Sequence, residues 1–231
     1  KVPDGFRGYS LFTEDEKNLE IQAVGEETYA SVELEPLSFK TIKRGDKLVL
    51  NDNGDQSNVL ENSFIKYKFE NGTLVSIFDK TLNKEFLSGI GNIISLYEDR
   101  PNNWDAWDID FFYRNALMET ATLENIESIH KGNVFEQIKF KFSIGSSKIE
   151  QTVILSAHSK RLDFKTSVEW KERHKMLRVH FPVSIRHDQA SYDIQYGYVK
   201  RNTHRNTSWD KAKFEVVGHK YVDLSDNDHG I

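Results

Sequence analysis

Apolar and polar residues alternate with a period of two along most of this chain. In QIKFKFSI (137–144), Ile138, Phe140, Phe142 and Ile144 share one face, with Lys139, Lys141 and Ser143 on the other. LDFKTSVEW (162–170) does the same with Leu162, Phe164, Thr166, Val168 and Trp170. IKYKF (65–69) alternates cleanly, and Asn71-Gly72 then turns the chain into TLVSIFD, a hairpin signature. RVHFPVSI (178–185) extends the pattern through Val179, Phe181, Val183 and Ile185, with Pro182 predicted at an edge or a bulge. Alternation with one polar face predicts antiparallel sheets packed on one side. The expected class is all-β: a large antiparallel β-sandwich. Helical signals are thin. Thr13 and Glu16 have capping-box spacing ahead of KNLEIQAV, but Gly25 cuts that run short. TATLENIESIH (120–130) has room for one helical turn or two.

NDNGDQSN (51–58) is polar and turn-forming, and it separates two β-patterned segments. Residues 1–50 are too few for a robust core, so they read as a small β segment completed elsewhere. After the linker at 51–58, residues 59–231 form the main β domain. Both ends have the look of cuts in a longer polypeptide.

Composition then narrows the function. The net charge is -5 and 29% of residues are charged, so no broad basic field attracts nucleic acid or anionic membrane. No run of about 18 apolar residues is present to span a bilayer. Cysteine is absent, which removes disulfides and thiolate metal sites and fits a reducing, cytoplasmic compartment. The N-x-S/T triplets at Asn71 and Asn206 read as chance matches.

RPNNWDAWDIDFFYRN (100–115) places Trp104 and Trp107 among Asp105, Asp108 and Asp110. An indole covers the C–H face of a sugar, and a carboxylate accepts hydrogen bonds from adjacent hydroxyls. Alternatively, the tryptophans anchor a long loop to the core and the aspartates cap turns. Asp105, Asp108 and Asp110 lack the spacing and glycine of an EF-hand. KRNTHRNTSWD (200–210) repeats the palette: Arg201 and Arg205, Asn202 and Asn206, His204, Trp209 and Asp210. Two such loops on one scaffold make either a shared rim or two structural turns. The later histidines form no compact metal signature. No nucleophile elbow, P-loop or dinucleotide fingerprint occurs. A glycosidase carboxylate pair is defined by a separation of about 5 to 9.5 Å, which 36 acidic residues leave open.

Four segments carry a family resemblance: LENSFIKYKFENGTLVSIFDK, NNWDAWDID, WKERHKMLRVHFPV and YDIQYGYVKRNTHRNTSWDKAKFEVVGHKYVDLSD. Together they resemble the C-terminal β region of family 38 glycoside hydrolases, nearest the cytosolic and bacterial α-mannosidases. Asn202 stands where proline is expected, and Tyr221 where tryptophan is expected. The resemblance covers residues 59–231 and implies a supersandwich similar to galactose-mutarotase domains. It implies the C-terminal portion of a zinc-dependent retaining α-mannosidase acting on mannose-containing oligosaccharides. Zinc and the catalytic carboxylates are then expected on an upstream catalytic domain of the same polypeptide, leaving no catalytic residue, cofactor or metal ligand in this chain. Arg201 becomes the first candidate to reach the substrate cleft, followed by Trp104, Asp105, Trp107 and Asp108, then His204. A homo-oligomer is compatible with this reading. An autonomous lectin-like module and a purely structural domain are the alternatives.

Overall fold

The computed structural model describes residues 1–48, 57–104 and 107–231. Strands β1 (Tyr9–Thr13), β2 (Ile21–Val24), β3 (Glu27–Ala30) and β4 (Ile42–Lys47) come first, paired as β1–β4 and β2–β3. Next come β5 (Val59–Glu61), β6 (Ile65–Glu70), β7 (Thr73–Asp79), β8 (Lys84–Glu85) and β9 (Ile93–Glu98). Then follow β10 (Leu117–Thr120), β11 (Thr122–His130), β12 (Phe135–Ile144), β13 (Ser147–Ser156) and β14 (Leu162–Glu169). The last are β15 (Lys175–His180), β16 (Gln189–Ile194), β17 (Gly197–Asn202), a short helix α1 (Ser208–Ala212) and β18 (Val222–Asp223). All the pairings among these strands are antiparallel. The chain is all-β.

Two four-stranded sheets, β5–β6–β7–β8 and β11–β12–β13–β14, contribute to one shared apolar core. The alternation dictates what enters it. Ile138, Phe140, Phe142 and Ile144 of β12 are buried, and Ile65, Tyr67 and Phe69 of β6 answer from the other sheet. Phe69 and Phe140 approach to 5.5 Å between ring centroids. Burying such a side chain contributes roughly 2–3 kcal/mol. Gly72 closes the β6–β7 hairpin with a positive φ, and a Cβ there would meet the Phe142 ring at 2.5 Å. The turn and the core thus require the same residue. On the outer face, Lys139 and Lys141 of β12 pair with Glu127 and Glu150.

The turns anticipated in TATLENIESIH are instead strand β11. Its apolar residues Leu123, Ile126 and Ile129 are spaced by three, as on a helix, yet all pack against the core. Two irregularities in the β11–β12 register, at Leu123/Asn125 and Ile126/Ser128, each absorb an extra residue and restore the facing. Thr13 likewise caps no helix. It ends β1, buried, with its side chain bonded to the backbone of Lys17, and Glu16 turns the chain with φ +61°. In LDFKTSVEW, Leu162, Phe164 and Val168 are only partly buried, Thr166 is exposed, and Trp170 lies past the strand, 40% exposed. β14 ends its sheet, so one side lacks cover. In the next apolar run Val179 and Phe181 are also exposed, and Ile185 alone is fully buried. β15 stops at His180, before Pro182, consistent with a residue that cannot donate to a ladder.

Residues 1–48 dock on the start of β12. The Gln22 side-chain oxygen accepts from the Val134 and Phe135 amides at 3.2 and 2.9 Å, and the Tyr29 ring meets Phe135 edge-on at 5.0 Å. Of the polar run 51–58, only Ser57 and Asn58 fall within the described residues.

Candidate functional site

The aromatic–acid loop leaves β9 and returns at β10, two neighbours in the sheet β10–β9–β15. Its base closes where the Asn102 amide donates to Asp110 Oδ2 at 2.6 Å. Trp104 adopts φ +61°, a costly conformation for a bulky residue. Its carbonyl then accepts from the amides of Trp107 and Asp108 at 2.7 and 2.8 Å. This tight turn throws both indoles outward: Trp104 is 75% and Trp107 91% exposed. Together with Asp108 they line an open concavity. Asp105 lies outside the described residues. Neither tryptophan anchors the core. The aspartates are split in role: among the described residues Asp108 Oδ1 accepts from the adjacent Ile109 amide alone, at 2.9 Å, while Asp110 locks the turn.

The second loop follows β17. Thr207 caps α1 by accepting from the Asp210 amide, and its hydroxyl donates to Asp210 Oδ2 at 2.6 Å. Asn202 donates to the other oxygen of Asp210 at 3.0 Å, and His204 Nδ1 lies 3.6 Å from Oδ2. Thr207 first, then Asn202, hold the Asp210 carboxyl below its ordinary pKa. His204 therefore faces an internal partner, whereas Trp209 is exposed. Arg201 lies over the Tyr192 ring at 5.5 Å and donates one weak bond, 3.4 Å, to the Val217 carbonyl. Its buried Nε has no hydrogen-bond partner among the described residues. Among the described residues no carboxylate pairs with its guanidinium.

What joins the loops was not legible from motifs. Behind the first loop, a 3-10 turn at Phe111–Asn115 buries Tyr113, whose hydroxyl donates to Glu215 Oε1. Arg114 donates to the Phe214 carbonyl at 2.6 Å and approaches Glu215 Oε1 at 3.4 Å. Arg178 on β15 reaches both Glu215 oxygens at 3.2 Å. Glu215 follows the second loop by only a few residues, so the two loops share one brace. Of the sequence candidates, Trp104, Trp107 and Asp108 share one concavity. Arg201, near the end of β17, and His204, on the second loop, do not line it.

A family model for the glycosyl hydrolases family 38 C-terminal domain matches residues 60–231. The chain belongs to family 38 of the glycosyl hydrolases. This family 38 chain is 35% identical to alpha-mannosidase G of Dictyostelium discoideum over 190 residues, 75% of the chain and 17% of that protein. It is 35% identical to human alpha-mannosidase 2C1 over 185 residues, 77% of the chain and 18% of that protein. An alpha-mannosidase of Saccharomyces cerevisiae is 37% identical over 175 residues, 69% of the chain and 16% of the yeast protein. The chain thus spans under a fifth of each relative's length. The crystal structure of an alpha-mannosidase from Enterococcus faecalis V583 shares the fold with a TM-score of 0.68 at 17% identity, covering 100% of this chain and 32% of that one.

Proposed function

We propose that this chain is the C-terminal β portion of a zinc-dependent retaining α-mannosidase, and that its two loops wall the substrate cleft of an upstream catalytic domain. The observations that carry the reading are the Arg201 guanidinium, which meets no carboxylate among the described residues and whose Nε is left without a partner there, and the two indoles of the other loop, which stand in solvent. A cation without a carboxylate suits a sugar hydroxyl or a carboxylate from another domain. Exposed indoles beside the lightly used Asp108 suit the two faces of a pyranose. Residues 1–50 form the small β segment, 51–58 the linker and 59–231 the cleft-facing domain. The mannose-containing substrate and the cytoplasmic location belong to the same reading. Among the described residues no three His, Asp or Glu side chains converge on one point, and this reading places zinc on the upstream domain. Its ligands, and the nucleophilic carboxylate of a retaining mechanism, are assigned upstream.

The test is made in the full-length enzyme. Arg201→Met should lower kcat/KM for an α-mannoside about tenfold, or about 1.4 kcal/mol, with little change in Tm. An unchanged kcat/KM would leave a purely structural domain. The isolated chain should show no turnover, with or without added zinc. Mannoside binding by that isolated chain tighter than about 1 mM would favour an autonomous lectin-like module.

A further inference from the structure

Glu215 gathers contacts from elements that are far apart in sequence. Tyr113 and Arg114 come from the turn behind the aromatic–acid loop, Arg178 comes from β15, and Glu215 itself follows α1. Aromatic packing reinforces the junction. Phe111 meets Phe214 edge-on at 6.0 Å, and the guanidiniums of Arg114 and Arg178 lie 5.5 Å over Phe214 and 5.0 Å over Tyr113. The Glu215 side chain is 30% exposed, and Arg114 and Arg178 are similarly sheltered, so these charges interact more strongly than a surface pair. Burial alone would raise the Glu215 pKa, but the Tyr113 hydroxyl and the two guanidiniums outweigh it and keep the carboxylate ionised.

We propose that Glu215 is a positioning residue. Its carboxylate clamps the 3-10 turn behind Trp104, Trp107 and Asp108 to the segment behind Arg201 and Trp209. The clamp sets the relative placement of the two loops without touching substrate. Its expected effect on mannoside binding rests on the cleft-wall reading above, whereas the clamp itself does not. Glu215→Gln keeps an acceptor for Tyr113 but loses the charge that two arginines share. Tyr113→Phe removes one hydroxyl and leaves the packing, so it tests the same link with little risk to folding.

Both variants are made in the full-length enzyme and followed by amide hydrogen exchange and kinetics. Exchange at residues 107–116 and 207–213 should accelerate about fivefold or more, while β12 and β13 stay as protected as before. kcat/KM should fall, and adding Glu215→Gln to Trp107→Ala should bring little further loss, because both act through one loop. Unchanged exchange in the two loops overturns the clamp. So does an equal acceleration in β12 and β13, which reports only lost stability. Accelerated loop exchange with kcat/KM unchanged in Glu215→Gln and in Trp107→Ala upholds the clamp and removes the cleft-wall reading instead.

Discussion

In β12, Phe140 and Phe142 are sealed between two sheets, 0% and 3% exposed, while Trp104 and Trp107 stand almost wholly in solvent. All four are large aromatic residues in one chain. Strand alternation aims the first pair at the core, whereas the left-handed turn at Trp104 aims the second pair away from it. The polar groups divide in the same way. Buried Asp79 is saturated by the Thr81 hydroxyl, the Thr81 and Leu82 amides and Lys160, whereas Asp108 has one local partner among the described residues. A side chain whose contacts are complete contributes to stability. One left incomplete on a defined turn is available to something outside the chain.

The comparison would break first at the core. Phe140→Ala should cost about 3–5 kcal/mol in chemical denaturation, against less than about 0.5 kcal/mol for Trp104→Ala. Equal losses would mean that the loop indoles carry structural weight. The carboxylates should separate next. Asp79→Asn should cost about 2 kcal/mol, because Lys160 and the Thr81 turn lose their anion, while Asp108→Asn should be near neutral.

Acid sharpens that second contrast. Burial pushes the Asp79 carboxyl up, but Lys160, Thr81 and the backbone amides more than compensate, lowering it from 3.8 to about 2. A carboxyl lowered by folding stabilises fully above its unfolded pKa. That contribution should therefore be intact above about pH 4 and fade as pH falls from 3.8 toward 2. In Asp79→Asn this part of the acid transition should be absent. An unchanged acid profile would mean that Asp79 is not the group responsible.

The core was readable because its information is local. A period of two in β6 and β12, and Asn71-Gly72 at the end of β6, specify facing and turn without knowledge of partners. β11 was misread because two register irregularities give a strand the three-residue spacing of a helix. The candidate loops were legible as composition but not as geometry. Nothing in the spacing shows that Trp104 is left-handed, that His204 faces Asp210, or that Arg201 packs over the Tyr192 ring. The Tyr113–Glu215 link was invisible because it joins residues 102 positions apart through single side chains, with no periodic pattern to announce them.

The cleft-wall account is tested most directly by kcat/KM for an α-mannoside in Trp107→Ala, made in the full-length enzyme with Tm measured on the same preparation. The expected result is a loss of about tenfold or more at an unchanged Tm, since the Trp107 side chain stands in solvent, 91% exposed. A kcat/KM equal to that of the parent enzyme, in protein equally folded, would contradict the account.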